Sequence, residues 1–543
     1  MEPSALPIYS PHAMRRNRRA AVGVFGILFV AYGYFHQGGG WNQNSRFDQA
    51  RAIVEDGTLA INDFLLYRLT VQDDGRAGYE RVLMSDAGEP PTRLPRVNTL
   101  DISLYEGRYY PNKPPGTSFL AAAVYAAVYG VERALGADPD SWVALTVGLY
   151  LTTWLTVGLL GALGGVVFLW ISLRLFPDVS LATHVSAALV FGLGTLMFPY
   201  GTLLLDAVPV ATLSLCAFAL LLSLRREPGG ADRAPALLFG AGTLCGLIVF
   251  MNYALILTAL GLGLYALWAC APRARIVWFA AGGVLPALAL AAYHAACFDD
   301  PLTLVHEHQM DVFTTVGSRY FGMFVTPRPP VIAELLFLPY RGLFVSSPVL
   351  LLSVYGLARM AAGTGTRRAE ALVFAGLGLI YLLLISSLNG WQGGSMMGPR
   401  YLMPAVPFLA LALTPAFARL GRAAALLAIP SILLMTVITA VDPQVSLRFQ
   451  NPLVEFYWPV ATGKTVRVSG FHLRGPVSVH PIGVPGGEIE VLYPDTRYAR
   501  WNSFNLGELL FPGSWASLLP LLSVIGFLGI AFLRPEPRRD EPE

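Results

Sequence analysis

Residues 234–253, 373–388 and 423–440 run without a single charged side chain. Apolar runs of about this length are transmembrane helix candidates, because roughly 20 helical residues cross the hydrocarbon core of a bilayer. Several such runs in one chain leave few alternatives to a polytopic membrane protein. Composition agrees. Charged residues make up 13% of the 543 and apolar ones 54%, whereas soluble domains carry about 25% charged residues. Half of the charge needed to solvate a globule of this size is missing. The formal net charge of +3 therefore says less than where the cations lie. The expected fold is an all-α polytopic membrane protein of about 12 transmembrane helices, or 14 by another count, with juxtamembrane helices and a small cap on the outer face. Cys216, Cys245, Cys270 and Cys297 fall in or at the edge of apolar spans with no CxxC spacing. They read as small buried hydrophobes.

The cations set the topology. "MRRNRRA" (14–20) precedes an apolar run with no small-residue cleavage site after it, which reads as an uncleaved first span with its basic end in the cytoplasm. Short connections rich in Lys and Arg stay inside: Arg225–Arg226, Arg273/Arg275, Arg367–Arg368, Arg419/Arg422 and the tail Arg534/Arg538/Arg539. Three long polar segments are then outside, 37–116, 298–345 and 442–514, with a shorter outer turn at 389–400. Both termini are cytoplasmic in an inner (plasma) membrane. Residues 117–173 allow either an outer juxtamembrane helix followed by one long span or three crossings. No internal repeat or low-complexity tract is present. Three parts are expected: a transmembrane body over 1–441 including the first outer loop 37–116, a small extracytoplasmic segment over 442–514, and a last span with its tail over 515–543. Strand patterns in the middle part are "TVRVSGFHL" and "GEIEVLY".

Candidate chemistry gathers on the outer side. "WNQNSRFDQARAIVEDGTLAIND" (41–63) carries Arg46, Asp48, Arg51 and Glu55 in an amphipathic helical pattern, expected to lie flat at the interface with Ala50, Ile53 and Val54 on its apolar side. Further on, "DISLYEGRYYPNKPPG" (101–116) places Asp101 and then Lys113 in a stiff turn just before an apolar helix. The two prolines restrict the backbone, and Tyr109 and Tyr110 suit the headgroup layer. A fixed ammonium there is placed to meet a lipid phosphate. "FLPYRGLFVSSPVLL" (337–351) and "NGWQGGSMMGPRYLMPAVPFL" (389–409) set Arg341, Trp391 and Arg400 in similar Gly/Pro-shaped turns at span mouths. Singly each charge reads as a solvated loop residue or a snorkelling anchor. Together Lys113, Arg341 and Arg400 read as one anion site. Asp206, in "YGTLLLDAVPVATL" near the outer start of a span, is costly at that depth. It either lines the site or pairs with an outer-face cation. "HEHQMD" (306–311) offers His-x-His with carboxylates; a solvated loop is the simpler reading than a metal site.

At these motifs the chain resembles the GT-C class of membrane glycosyltransferases, which includes the aminoarabinose transferases and the protein O-mannosyltransferases. "SRFDQARAIVEDGTL", "YYPNKPP", "PYRGLFVSSP" and "WQGGSMMGPRYLMPAVPF" carry the resemblance, loosely over most of the chain and specifically over about a fifth of it. It implies a GT-C-like fold and a polyprenyl-phosphate sugar as donor. It also implies inverting transfer to an extracytoplasmic hydroxyl on a glycan, lipid or protein. It leaves a divalent cation open. Lys113, Arg341, Arg400 and Arg46 would bind the donor phosphate, with Tyr110, Trp391 and Asp206 lining the site. One departure concerns the base. With Arg46–Phe47 matched to the family's Arg-aromatic pair, the preceding acidic pair falls on Gln43 and Asn44. Asp101, or else Asp48, would then take the acceptor's proton. The expected partners are the polyprenyl-phosphate sugar, a glycan, lipid or protein acceptor and the lipid bilayer, with no nucleic acid. The rival reading is a transporter or lipid flippase, which would place ionisable groups near the bilayer midplane in repeated halves. Here the charges lie at the outer mouths. A non-catalytic envelope scaffold is a third reading, kept open by the missing acidic pair.

Overall fold

A computed structural model describes residues 11–71, 77–81, 98–226, 232–309, 323–363, 366–470, 489–493 and 503–534. The chain is mainly helical. Helix α1 (Pro11–Gly33) is followed by a short α2 (Trp41–Arg51) and, after a long polar loop, by α3 (Gly116–Ala134). A continuous helical run, α4, covers Trp142–Leu175. Then come α5 (Leu181–Leu193), α6 (Ala207–Arg226), α7 (Ala234–Met251), α8 (Ile256–Ala269) and α9 (Ile276–Phe298). The second half holds α10 (Pro329–Leu336), α11 (Leu351–Ala361), α12 (Thr366–Ser387), α13 (Val406–Leu411), α14 (Leu413–Leu420), α15 (Ala425–Val441) and α16 (Leu519–Leu528). Among the described residues seven helices are long and apolar enough to cross a membrane, and three further apolar helices are shorter.

Starts and reversals follow local chemistry. Ser141 and Ser180 sit just before α4 and α5, and their hydroxyls accept the Ala144 and Thr183 N–H groups, satisfying donors that a helix start leaves open. From Trp142 to Leu175 the chain does not turn back, so the two reversals that three crossings over 117–173 require are not both present. Helices α7 and α9 approach closely through small residues. A Cβ on Gly242 would lie 1.9 Å from the Phe279 carbonyl oxygen, and one on Gly282 would lie 2.0 Å from that of Phe239. Without a hydrophobic drive inside lipid, such backbone contact is what packs one helix on another.

Each described connection on the arginine-rich side (Arg225, Arg273/Arg275, Arg367/Arg368, Arg419/Arg422) joins helix ends opposite to those bearing Asp206, Asn252, Arg341 and Ser387. The bundle thus has an arginine end and a second end that receives the polar loops. Arg538 and Arg539 of the tail lie outside the described residues.

At that second end the loop between α1 and α3 is folded inward. Helix α2 was expected flat at the interface; instead Gln43 through Arg51 are all buried. A helix with so many polar groups survives burial only where each finds partners, and its partners come from four other segments. Strands β4 (Ile102–Tyr105) and β5 (Arg108–Pro111) form a hairpin, numbered after the β2 (Tyr67–Val71) and β3 (Ala77–Arg81) pair. Its Glu106–Gly107 turn has positive φ at both positions, 47° and 77°, as two-residue hairpin turns require. Strand β1 (Phe35–Gln37) pairs with β8 (Ser503–Asn505), so the segment before the last helix is stitched to the one after the first. The two strands predicted within 442–514 are β6 (Val466–Gly470) and β7 (Ile489–Tyr493), paired antiparallel.

Candidate active site

The β4–β5 hairpin decides what meets what. Its register pairs Ile102 with Pro111, and the next step outward joins the Asn112 N–H to the Asp101 carbonyl at 3.1 Å. Asp101 and Lys113 are brought together in this way across twelve residues of chain. The Lys113 Nζ lies 3.7 Å from the Asp101 carboxylate and donates to Asn112 Oδ1 at 2.6 Å. Both are mostly enclosed, with side-chain exposures of 23% and 10%. Pro114 and Pro115 then hand the chain directly to α3 at Gly116. Lys113 is held at the mouth of that helix because the hairpin sits on one side of it and the prolines on the other.

A second cluster faces the first. Arg46, on buried α2, donates from Nη2 to Asp206 Oδ1 at 2.8 Å and from Nη1 to the Asn42 carbonyl at 3.0 Å and to Asn42 Oδ1. The other Asp206 oxygen accepts Asn252 Nδ2 at 2.6 Å. Of the two readings of Asp206, pairing with a cation is the one seen. Burial pushes the Arg46 guanidinium down from its ordinary pKa, and the Asp206 carboxylate offsets part of this, followed by Asp101; Arg400 acts in the same direction as burial. Arg46 is therefore within electrostatic reach of both carboxylates and of Arg400. Arg400 in turn feels Asp206, Tyr200 and Tyr401, and donates to the Tyr401 hydroxyl at 3.3 Å.

Arg341 has a different position from that expected. It is fully buried, and its Nε, Nη1 and Nη2 donate to the carbonyls of Gln392, Tyr340 and Gly394 at 3.1, 3.3 and 3.2 Å. The guanidinium fork ties down the turn that carries Arg400. That turn needs φ of 75° and 77° at Gly393 and Gly394, which only glycine adopts without strain. Trp391 is half-buried in the same turn, edge-on to Tyr340 with ring centroids 5.9 Å apart.

The remaining candidates separate. Asp48 lies beneath the loop, both carboxylate oxygens accepting Asn98 Nδ2 at 2.8 and 2.7 Å. Burial raises its pKa well above the usual carboxylate range, against the pull of Arg51 and of the Asn98 hydrogen bond. Tyr110 is buried edge-on to Phe298. The amides Gln43 and Asn44, where the resemblance expects acids, serve as struts: Gln43 Oε1 accepts the Leu204 N–H at 2.9 Å, and Asn44 Nδ2 donates to Asn98 Oδ1 at 2.7 Å.

Three residues joined to the site were not singled out for it. His306 lies in a 3-10 turn (Val305–His308) pinned on β4, where the Ser103 hydroxyl donates to the Val305 carbonyl at 2.6 Å. Burial pushes its imidazole down to about 4, with Lys113 adding and Asp101 opposing. Its ring meets that of Tyr253, whose hydroxyl is 2.7 Å from His294 Nε2. Asn252 was hidden as the last polar residue after an apolar helix. Among the described residues no group of three or more His, Cys, Asp or Glu is gathered as for a metal; Asp311 of "HEHQMD" lies outside them.

No known family pattern matches the chain and no curated protein matches it. Among solved structures the chain is similar to ArnT from Cupriavidus metallidurans bound to undecaprenyl phosphate, at 13% identity and a TM-score of 0.45 over 78% of this chain and 62% of that one. The apo state of the same protein gives 13% and 0.47 over 79% and 63%. The Archaeoglobus fulgidus oligosaccharyltransferase in its apo form gives 11% and 0.41 over 79% and 55%. The chain thus spans less than two thirds of each of these proteins. They are GT-C glycosyltransferases, the class whose motifs this sequence resembles.

Proposed function

We propose that this chain is an inverting membrane glycosyltransferase, moving a sugar from a polyprenyl-phosphate donor to a hydroxyl on a glycan, lipid or protein. In this reading about twelve helices cross an inner membrane, both termini are cytoplasmic, and the polar end faces outward. The observation that carries it is the juxtaposition of Asp101 with Lys113 at 3.7 Å, with Arg46 in electrostatic reach of Asp101 and of Arg400. An acceptor oxygen attacks the anomeric carbon as the carbon–oxygen bond to the phosphate breaks. Asp101 takes the acceptor's proton. The leaving polyprenyl phosphate departs as an anion and needs charge stabilisation rather than a proton, which Lys113 and Arg400 supply. A single displacement inverts the anomeric centre. Arg46 holds Asp206 and adds to the positive field, while Arg341 and Asp48 act as positioning residues.

A transporter needs ionisable groups along a path through the membrane centre, whereas these charges collect at one end of the bundle. The test is incubation of purified protein with a panel of polyprenyl-phosphate sugars, scored by release of free polyprenyl phosphate. Release from one donor that Asp101→Asn abolishes supports the proposal. Absence of release from every donor and acceptor combination, by protein that remains folded, refutes it.

A further inference from the structure

The opposite end of the bundle holds a cavity of about 250 Å³ that the proposed transfer does not use. Three guanidinium side chains line it, from three different helices: Arg359 near the end of α11, Arg367 in the first turn of α12 and Arg419 in the last turn of α14. One carboxylate answers them, Asp178, whose oxygen lies 3.4 Å from Arg367 Nη2. That pair is open to solvent, with side-chain exposures of 41% and 86%, so it ties up little of the positive field. Phe176 and Met360 give the cavity an apolar wall. The Arg367 guanidinium lies 5.9 Å from the Phe176 ring centroid. Helix α12 runs 22 residues from the cavity to Ser387 near the candidate active site, about 33 Å at 1.5 Å per residue. The two sites therefore open toward opposite leaflets.

We propose that this cavity binds the phosphate of an anionic phospholipid headgroup in the leaflet at the arginine end. Three chemical features argue for that occupant. Arginines lining one cavity from three helices can match a phosphate's oxygens with forked donors. The volume is below the roughly 300 Å³ at which pockets for drug-sized molecules begin, so it fits a headgroup and leaves the tails outside. The apolar wall beside the arginines suits a ligand whose next portion is acyl chain. Basic pockets between transmembrane helices are a recurrent setting for such headgroups. This inference does not rest on the glycosyltransferase reading.

The test is native mass spectrometry of the full chain released from nanodiscs made of equal phosphatidylglycerol and phosphatidylcholine. The wild-type protein is expected to retain phosphatidylglycerol preferentially. Each of Arg359→Gln, Arg367→Gln and Arg419→Gln lowers that retention about fivefold, and the triple variant erases the preference. Asp178→Asn is expected to raise it, a gain that damaged folding does not produce. Millimolar glycerol phosphate or inorganic phosphate, added as competitor, separates the sources. Retention unchanged by the competitor supports the lipid, whereas displacement assigns the cavity to a soluble phosphate and overturns the lipid as occupant. A triple variant that keeps the wild-type lipid ratio, or a wild type with no preference, overturns the anion site itself.

Discussion

Replacing Lys113 by methionine tests the proposed phosphate site with the least change of shape, because the apolar stem stays and only the ammonium goes. The ammonium lies 3.7 Å from Asp101. At that range two unit charges attract by roughly 4 kcal/mol at the effective dielectric near a protein surface. Lys113 is 23% exposed, so water recovers part of this. The net worth of one fixed donor aimed at developing charge is about 3 kcal/mol, or roughly a hundredfold in rate at 1.36 kcal/mol per decade. The loss should divide between two constants. The donor phosphate is already anionic when bound, so some of the effect raises KM. The leaving oxygen gains its charge only as the sugar departs, so the larger part lowers kcat. Single-turnover release of polyprenyl phosphate from labelled donor measures the second quantity directly. A Lys113→Met protein that inserts normally and turns over within threefold of wild type would show that no phosphate departs beside this ammonium.

The two aspartates should part company in the same assay. Asp101→Asn is expected to lower the rate at least a hundredfold, while Asp48→Asn stays within a few-fold. Burial already disfavours the charged form of Asp48, and a neutral amide fills the same space; equal losses in both variants would reverse the assignment. Arg341→Lys should behave as a structural lesion, because an ammonium cannot make the three carbonyl bonds of the guanidinium fork. A loss of about 3 kcal/mol in stability is expected, with lower activity as Arg400 shifts; an unchanged thermal midpoint counts against this role. His306 predicts an acid-sensitive fold. Its folded pKa of about 4 lies below the ordinary 6.5, so the unfolded chain takes up the proton first. Stability is intact above about pH 6.5, falls on acidification toward pH 4 and levels off below, by at most about 3 kcal/mol. His306→Gln should flatten this dependence in midpoints measured across that window, and an unchanged pH profile rules the group out.

Burial and periodicity made different parts of this molecule legible. Long uncharged runs announced the helices, because hydrocarbon tolerates little else. Asp206 announced itself as a costly carboxylate at a span mouth, and its cation Arg46 is 160 residues away. Helix α2 misled, since a polar helix with one apolar stripe looks the same in sequence whether its polar face meets water or other loops. Nothing in "PYRG" distinguishes an arginine that grips backbone carbonyls from one that awaits a ligand, because carbonyls leave no trace in composition. His306 was visible as half of a His-x-His motif, yet the spacing points to metals while the fold sets the ring edge-on to Tyr253.

The buried polar helix explains how the site is kept in register. Gln43 ties α2 to the segment before α6, Arg46 to Asp206, Asp48 to Asn98, Gln49 to the Tyr293 hydroxyl at 2.9 Å, and Arg51 to Glu55 and Asp140. These contacts reach four regions of the chain through one rigid element. A buried polar group left without a partner costs about 1–3 kcal/mol, so displacing α2 by a residue breaks several such bonds at once. The membrane helices are also tied to one another by buried hydrogen bonds, such as Ser172 to Thr414 and Thr258 to Tyr381, each at 2.7 Å. Hydrogen bonding along α2 therefore ties together the segments of the polar end, while the helices beneath carry polar ties of their own. On this argument Gln49→Leu, which removes a strut on α2 without touching the Arg46–Asp206 pair directly, should loosen Arg46 and Asp206 as well. A double-mutant cycle with Asp206→Asn is then expected to show coupling, and strict additivity would mean that α2 is not the shared support.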